Sequence, residues 1–133
     1  MALSSVIQFG DNNITRYSRE YPLLNVELHF KREDDGFRPT TDAVCESVVL
    51  SLVAPPEKDR FFNKWFIDGE EQSGCILTEI SDPTKDNEPV VKEIYFQDAM
   101  LFSFEENFEL DIRRRSFKLG MTAATFKIQD ISF

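Results

Sequence analysis

The chain has 133 residues, 41% of them hydrophobic and 29% charged, with a formal net charge of −9 at pH 7. That length builds one domain, residues 1–133, with a core that needs neither metal nor disulfide support. The acidity removes the basic footprint that phosphate binding requires, so nucleic acid is not an expected partner.

The opening residues Met1 to Ile7 carry no basic lead and no long apolar run, so no Sec signal peptide is read. No window approaches the length needed to cross a bilayer. The expectation is folding in the cytoplasm, with any export by another route.

Residues Ser5 to Tyr17 read as two short strands about the turn cluster Gly10-Asp11-Asn12-Asn13, and Tyr21-Pro22 reads as a break after them. From Asn25 to Val53 two strands flank an acidic, turn-rich segment. In the first, Val26, Leu28 and Phe30 alternate with Glu27, His29 and Lys31, the period of a ribbon with one buried face. The second runs from Asp42 to Val53 and puts Val44, Val48, Leu50 and Leu52 on one face. The nine residues Glu33 to Thr41 between them are too many for a two-residue hairpin turn. They form a projecting arm in which Asp34, Asp35, Gly36, Phe37, Arg38 and Pro39 place an aromatic and a guanidinium beside a run of acids. Two readings stand: a solvated loop with one stray Phe, or a contact surface for a second copy.

One helix follows. Pro55 and Pro56 suit its entrance, and Glu57 and Asp59 complement the positive end of its dipole. Phe61, Phe62, Trp65 and Phe66 fall at i, i+1, i+4 and i+5, an aromatic stripe that packs against a sheet more often than it serves as a ligand platform. Asp68-Gly69 ends it. The remainder reads as strands: Cys75 to Ile80, a polar loop from Ser81 to Pro89, Val90 to Phe96, a separator at Gln97-Asp98, then Ala99 to Phe104 with Met100, Phe102 and Phe104 on one face. Phe117, Leu119, Met121 and Ala123 keep one parity while Phe126 and Ile128 take the other, so a bend is predicted at Ala123-Ala124. The pattern gives eight or nine strands, mainly β, in an antiparallel barrel or sandwich with one flanking helix.

No catalytic set is assigned. His29 is the only histidine and lies on the polar side of a strand, away from any role as general base. The carboxylates cluster in loops without a calcium-loop spacing, and no glycine-rich phosphate loop is present. Cys45 and Cys75 read as buried free thiols and, with one histidine, cannot complete a zinc site. The sequence thus predicts no enzyme, no cofactor and no metal. The basic run Arg113-Arg114-Arg115 follows Glu105, Glu106, Glu109 and Asp111; it reads as a self-neutralising hairpin or as a tip that meets an acidic edge of a stacked copy.

The order of these features resembles a known family. The strand Val26-Glu27-Leu28-His29-Phe30-Lys31-Arg32, the acidic loop ending in Arg38-Pro39-Thr40, the strand Val48-Val49-Leu50-Ser51-Leu52 and a helix with one Trp are similar to the tube protein of the type VI secretion system. Gly74-Cys75-Ile76-Leu77, Lys92-Glu93-Ile94-Tyr95-Phe96-Gln97-Asp98-Ala99 and the closing strand Phe117 to Ile128 continue the likeness. The match is to the haemolysin-coregulated protein (Hcp) family, nearest its divergent Bacteroidetes version, over Ser5 to Ile128. Phe37 stands where the family's loop usually has glycine, and Arg113 to Arg115 differ from its usual polar turn.

The resemblance implies a tail-tube-like barrel of two packed sheets, assembled as a homohexameric ring. Rings stack into a tube inside a contractile sheath, with a spike at the tip and effectors in the lumen, and the tube is secreted without a signal peptide. It also implies that Asp34 to Pro39 reach a neighbouring subunit. The competing expectation is a monomeric intracellular barrel binding a small apolar ligand.

Overall fold

The computed structural model describes residues 2–32, 36, 44–81, 90–128 and 131–132. Its elements are β1 (Ala2–Asp11), β2 (Arg16–Leu23), β3 (Asn25–Lys31), β4 (Val44–Val53), α1 (Phe61–Ile67), β5 (Gln72–Ser81), β6 (Val90–Glu109), β7 (Arg114–Thr122), β8 (Thr125–Ile128) and β9 (Ile131–Ser132). Every described strand pair is antiparallel. One sheet runs β2-β1-β5-β6-β8-β9 and the other β3-β4-β7-β6, so β6 belongs to both.

Three corners curl these sheets around one core. Asp98 sits at φ 53, a left-handed kink that carries β6 from one sheet into the other. Leu24 turns β2 into β3 and donates its N–H to the Ser51 carbonyl at 2.7 Å. At Ala123-Ala124 the chain leaves β7 in one sheet and enters β8 in the other, where the Ala124 N–H reaches the Gln97 carbonyl at 3.0 Å. The parity switch read from the sequence is this crossing. Inward residues of both sheets, among them Ile7, Val48, Leu50, Ile76, Phe96 and Leu119, are fully buried between them.

Several sequence expectations are corrected. Tyr21 and Pro22 do not break the chain; they lie within β2, an edge strand whose outer side needs no proline N–H. Gln97-Asp98 does not separate two strands, because the ladder continues through the kink in one strand of 20 residues. A register shift between His29 and Phe30 turns Phe30 and Val44 outward and buries Cys45 in their place. A second shift between Leu101 and Ser103 separates Phe104, which packs on Phe117 at 4.9 Å, from outward-facing Met100 and Phe102. The expected strand start at Asp42 and the loop residues 82–89 lie outside the described residues.

The helix is shorter than its sequence signals imply. Arg60 is the N-cap position, so Pro55, Pro56 and Glu57 belong to the run before it and no acidic residue occupies the first turn. Asp59 still acts at this end, its Oδ1 accepting the Phe61 N–H at 3.0 Å. Gly69, at φ +64, follows the C-cap Asp68 in the left-handed conformation open to glycine.

Candidate functional site

The aromatic face of α1 closes one side of the barrel. Phe62 and Trp65 are fully buried, and the Phe9 ring meets Trp65 edge-on at 5.3 Å and Phe62 at 5.9 Å. The Trp65 indole N–H donates to the Ala99 carbonyl at 2.9 Å. The other two residues of the stripe lie at its margin. Phe61 is half-buried beneath the Arg19 guanidinium, 4.8 Å from its ring centre, and Phe66 is 40% exposed and stacks on Phe104 at 5.9 Å.

The interior between the sheets is filled by side chains. A cavity lined by residues that include Leu3, Ser5, Leu28, Thr78 and Lys92 measures 270 Å³. That is at or below the floor of the roughly 300–1,000 Å³ range for ligand pockets, and the Ser5 and Thr78 hydroxyls hydrogen-bond across it at 3.0 Å. His29 is exposed, its Nε2 3.5 Å from Glu27. Among the described residues no group of three His, Cys, Asp or Glu side chains is placed to hold a metal ion.

A group of linked polar side chains lies on the outer face of the sheet that holds β5. Cys75, on β5, lies beneath Tyr17 and Tyr95 and donates to Gln8 Oε1 at 3.4 Å. Tyr17 donates to Asn12 Oδ1 at 2.7 Å, and Asn12 in turn donates to the carbonyls of Gly74 and Phe96, each at 3.0 Å. Burial, then the hydrogen bond with Cys75, pushes the Tyr17 phenol well up. Burial and a 2.9 Å hydrogen bond to Glu93 push Tyr95 up to about 12. Cys45 and Cys75 are both free and buried, and burial raises both thiols, which makes poor nucleophiles of them.

The outside of the barrel holds the remaining candidate residues. Of the arm, Gly36 is described, at φ +98, a conformation open to glycine; Asp34, Asp35, Phe37, Arg38 and Pro39 lie outside the described residues. β3 ends at Lys31 before the arm and β4 begins at Val44 after it. At the β6–β7 hairpin Arg114 spans both oxygens of Glu109 at 3.1 and 3.0 Å, and Arg115 holds Glu106 Oε1 at 2.9 and 2.8 Å. Two cations of the basic run are therefore neutralised within the hairpin. Arg113, at φ 51, makes no ion pair among the described residues and sits at a tip with exposed Phe108, Leu110 and Ile112.

Sequence reasoning missed one surface. Arg19 on β2, Lys58 and Arg60 before α1, and Lys64 on α1 line a shallow groove of 910 Å³ with Asp59, Glu70 and Phe61. Lys58, Arg60 and Lys64 fall within seven consecutive residues, a signal hidden by the attention given there to Glu57 and Asp59.

The family model for the haemolysin coregulated protein Hcp (TssD) matches residues 1–133. No curated protein matches the sequence significantly. Among solved structures the chain is similar to Hcp1 from Flavobacterium johnsoniae, at 18% identity and a TM-score of 0.70, over 100% of this chain and 98% of that one. It is similar to the secreted protein Hcp3 from Pseudomonas aeruginosa at 10% identity and a TM-score of 0.63, over 99% and 96% of the two chains. Hcp1 from Salmonella typhimurium gives 13% and 0.63, over 100% and 92%. Identities this low carry the fold alone, and the whole-chain family match carries the membership. The chain belongs to the Hcp (TssD) family, the tube proteins of the type VI secretion system.

Proposed function

We propose that this chain is a non-enzymatic structural subunit of the type VI inner tube. Copies close head to tail into a hexameric ring, and rings stack into a tube that a contractile sheath surrounds and a spike protein caps. The lumen carries effector proteins. The subunit is held in the cytoplasm until firing and leaves through the apparatus without a signal peptide.

The observation that carries this reading is the family match over residues 1–133. Three features of the molecule support it. The barrel interior is packed with side chains, which leaves the exterior as the working surface. Large apolar residues are exposed on that exterior, Leu110 at 83% and Ile67 at 76% among them, as on a chain that copies of itself cover. With Arg114 and Arg115 engaged in their own hairpin, Arg113 and the apolar tip beside it are the part of that hairpin left to meet a stacked ring.

Light scattering on the purified chain tests the assembly. A mass six times the 15.4 kDa of one chain is expected, and a strict 15.4 kDa monomer at high concentration overturns it.

A further inference from the structure

The groove beside α1 is a basic site on an acidic protein. Four cations, Arg19, Lys58, Arg60 and Lys64, face two carboxylates there, on a chain whose net charge is −9. The two carboxylates are already engaged. Asp59 accepts the Tyr21 hydroxyl at 2.7 Å and the Phe61 N–H at 3.0 Å and lies 3.6 Å from Arg19. Glu70 accepts from Gln72 Nε2 at 3.4 Å. Lys58, Arg60 and Lys64 make no ion pair among the described residues. Uncompensated like charges held around one concavity call for an anionic partner.

We infer that this groove receives the acidic run Glu33-Asp34-Asp35 from the arm of a second copy, a contact that rests on the tube reading and names its receiving surface. The run is the densest acidic stretch of the chain, three consecutive carboxylates. At the β6–β7 hairpin Glu106 and Glu109 are held by Arg115 and Arg114, and Asp111 in its turn is a single carboxylate rather than a run. Phe61, half-buried in the groove wall under Arg19, offers an aromatic surface to the Phe37 that follows the run.

β4 begins at Val44 and runs to Val53 before the chain turns toward α1. Nine strand steps put Val44 and Val53 about 30 Å apart at ~3.3 Å each. The acids lie two to four residues beyond Lys31 and reach at most about 14 Å from it. In the ring of the tube reading the run meets the groove of the adjacent copy, a heterologous contact of the kind that closes rings.

The test compares four chains by native mass spectrometry at matched concentration: wild type, the groove reversal Lys58→Glu/Arg60→Glu/Lys64→Glu, the arm reversal Glu33→Lys/Asp34→Lys/Asp35→Lys, and the two combined. Each reversal alone lowers the ring population by about tenfold or more, and the combination restores it. A groove reversal that assembles like wild type, or a combined chain no better than either reversal, overturns the contact and leaves the tube reading standing. A second measurement serves if a variant does not fold or if wild type stays monomeric, the result that overturns the tube reading instead. A labelled peptide of residues 31–41 binds the wild-type chain by fluorescence anisotropy, and binding weakens as salt rises. A peptide with Glu33→Gln, Asp34→Asn and Asp35→Asn binds at least tenfold more weakly; equal binding of the two peptides overturns the contact.

Discussion

The Trp65 indole N–H meets the Ala99 carbonyl at 2.9 Å, one residue past the left-handed Asp98 that bends β6 between the two sheets. Both partners are fully buried. The single tryptophan of the chain thus ties the only described helix to the corner on which barrel closure depends. A donor in this position satisfies a carbonyl at the kink, where a ladder is least regular.

Replacing Trp65 with Phe keeps most of the apolar volume and removes the donor. The expected cost is about 1–3 kcal/mol for the carbonyl left without its partner. Trp65→Ala adds a cavity and costs about 3–5 kcal/mol. Urea unfolding of both variants checks the order; equal stability of Trp65→Phe and wild type would show that the bond contributes nothing.

Gly74 and Gly120 are close-approach positions of different kinds. A Cβ at Gly74 meets the backbone of Gln8 across the β1–β5 pair, where nothing yields. A Cβ at Gly120 meets the Phe102 ring and Ser103 Oγ, both at 2.5 Å, and Phe102 is half-exposed and free to swing away. Gly74→Ala is expected to destabilise by about 3 kcal/mol and Gly120→Ala by about 1 kcal/mol. Thermal melts read the difference, and the reverse order would place the rigid contact at the wrong strand.

All three tyrosines, Tyr17, Tyr21 and Tyr95, have phenols raised above the ordinary 10, chiefly by burial. The fold therefore favours the neutral phenol. The resulting stability is fully present below pH 10, where the unfolded chain is also neutral, and is lost as pH rises through the folded values, about 12 for Tyr95. Absorbance at the tyrosinate band is expected to stay low at pH 10 in the folded protein and to reach half its maximum there in urea. Half-ionised tyrosines in the folded chain at pH 10 would contradict the buried hydroxyl network on the outer sheet face.

Much of the barrel was legible because its strands keep a two-residue period where one face is buried. Val48, Leu50 and Leu52 on β4, and the parity switch at Ala123-Ala124, give the core face and the sheet crossing directly. The misreadings fall where one residue resets that period. The bulges at His29/Phe30 and Leu101/Ser103 reverse which side chains face inward, and no residue type there announces an extra step. Asp98 looks like a chain break because a polar residue with positive φ ordinarily ends a strand, yet here the ladder spans it. The basic groove was illegible for another reason: Arg19 comes from β2 and joins Lys58, Arg60 and Lys64 only once β2 lies beside α1.

The arm carries a prediction independent of its acids. Phe37→Ala with Arg38→Ala removes the aromatic and the guanidinium and is expected to lower the ring population several-fold while the thermal melt of the barrel stays within about 1 kcal/mol of wild type. Rings of unchanged stability would move the subunit contact away from the arm.

Negative-stain micrographs of the purified wild-type chain test the central claim most directly. The account predicts uniform rings with six-fold symmetry and an open centre, some of them stacked. A field of separate particles the size of one barrel, at concentrations where the chain is fully folded, would contradict it.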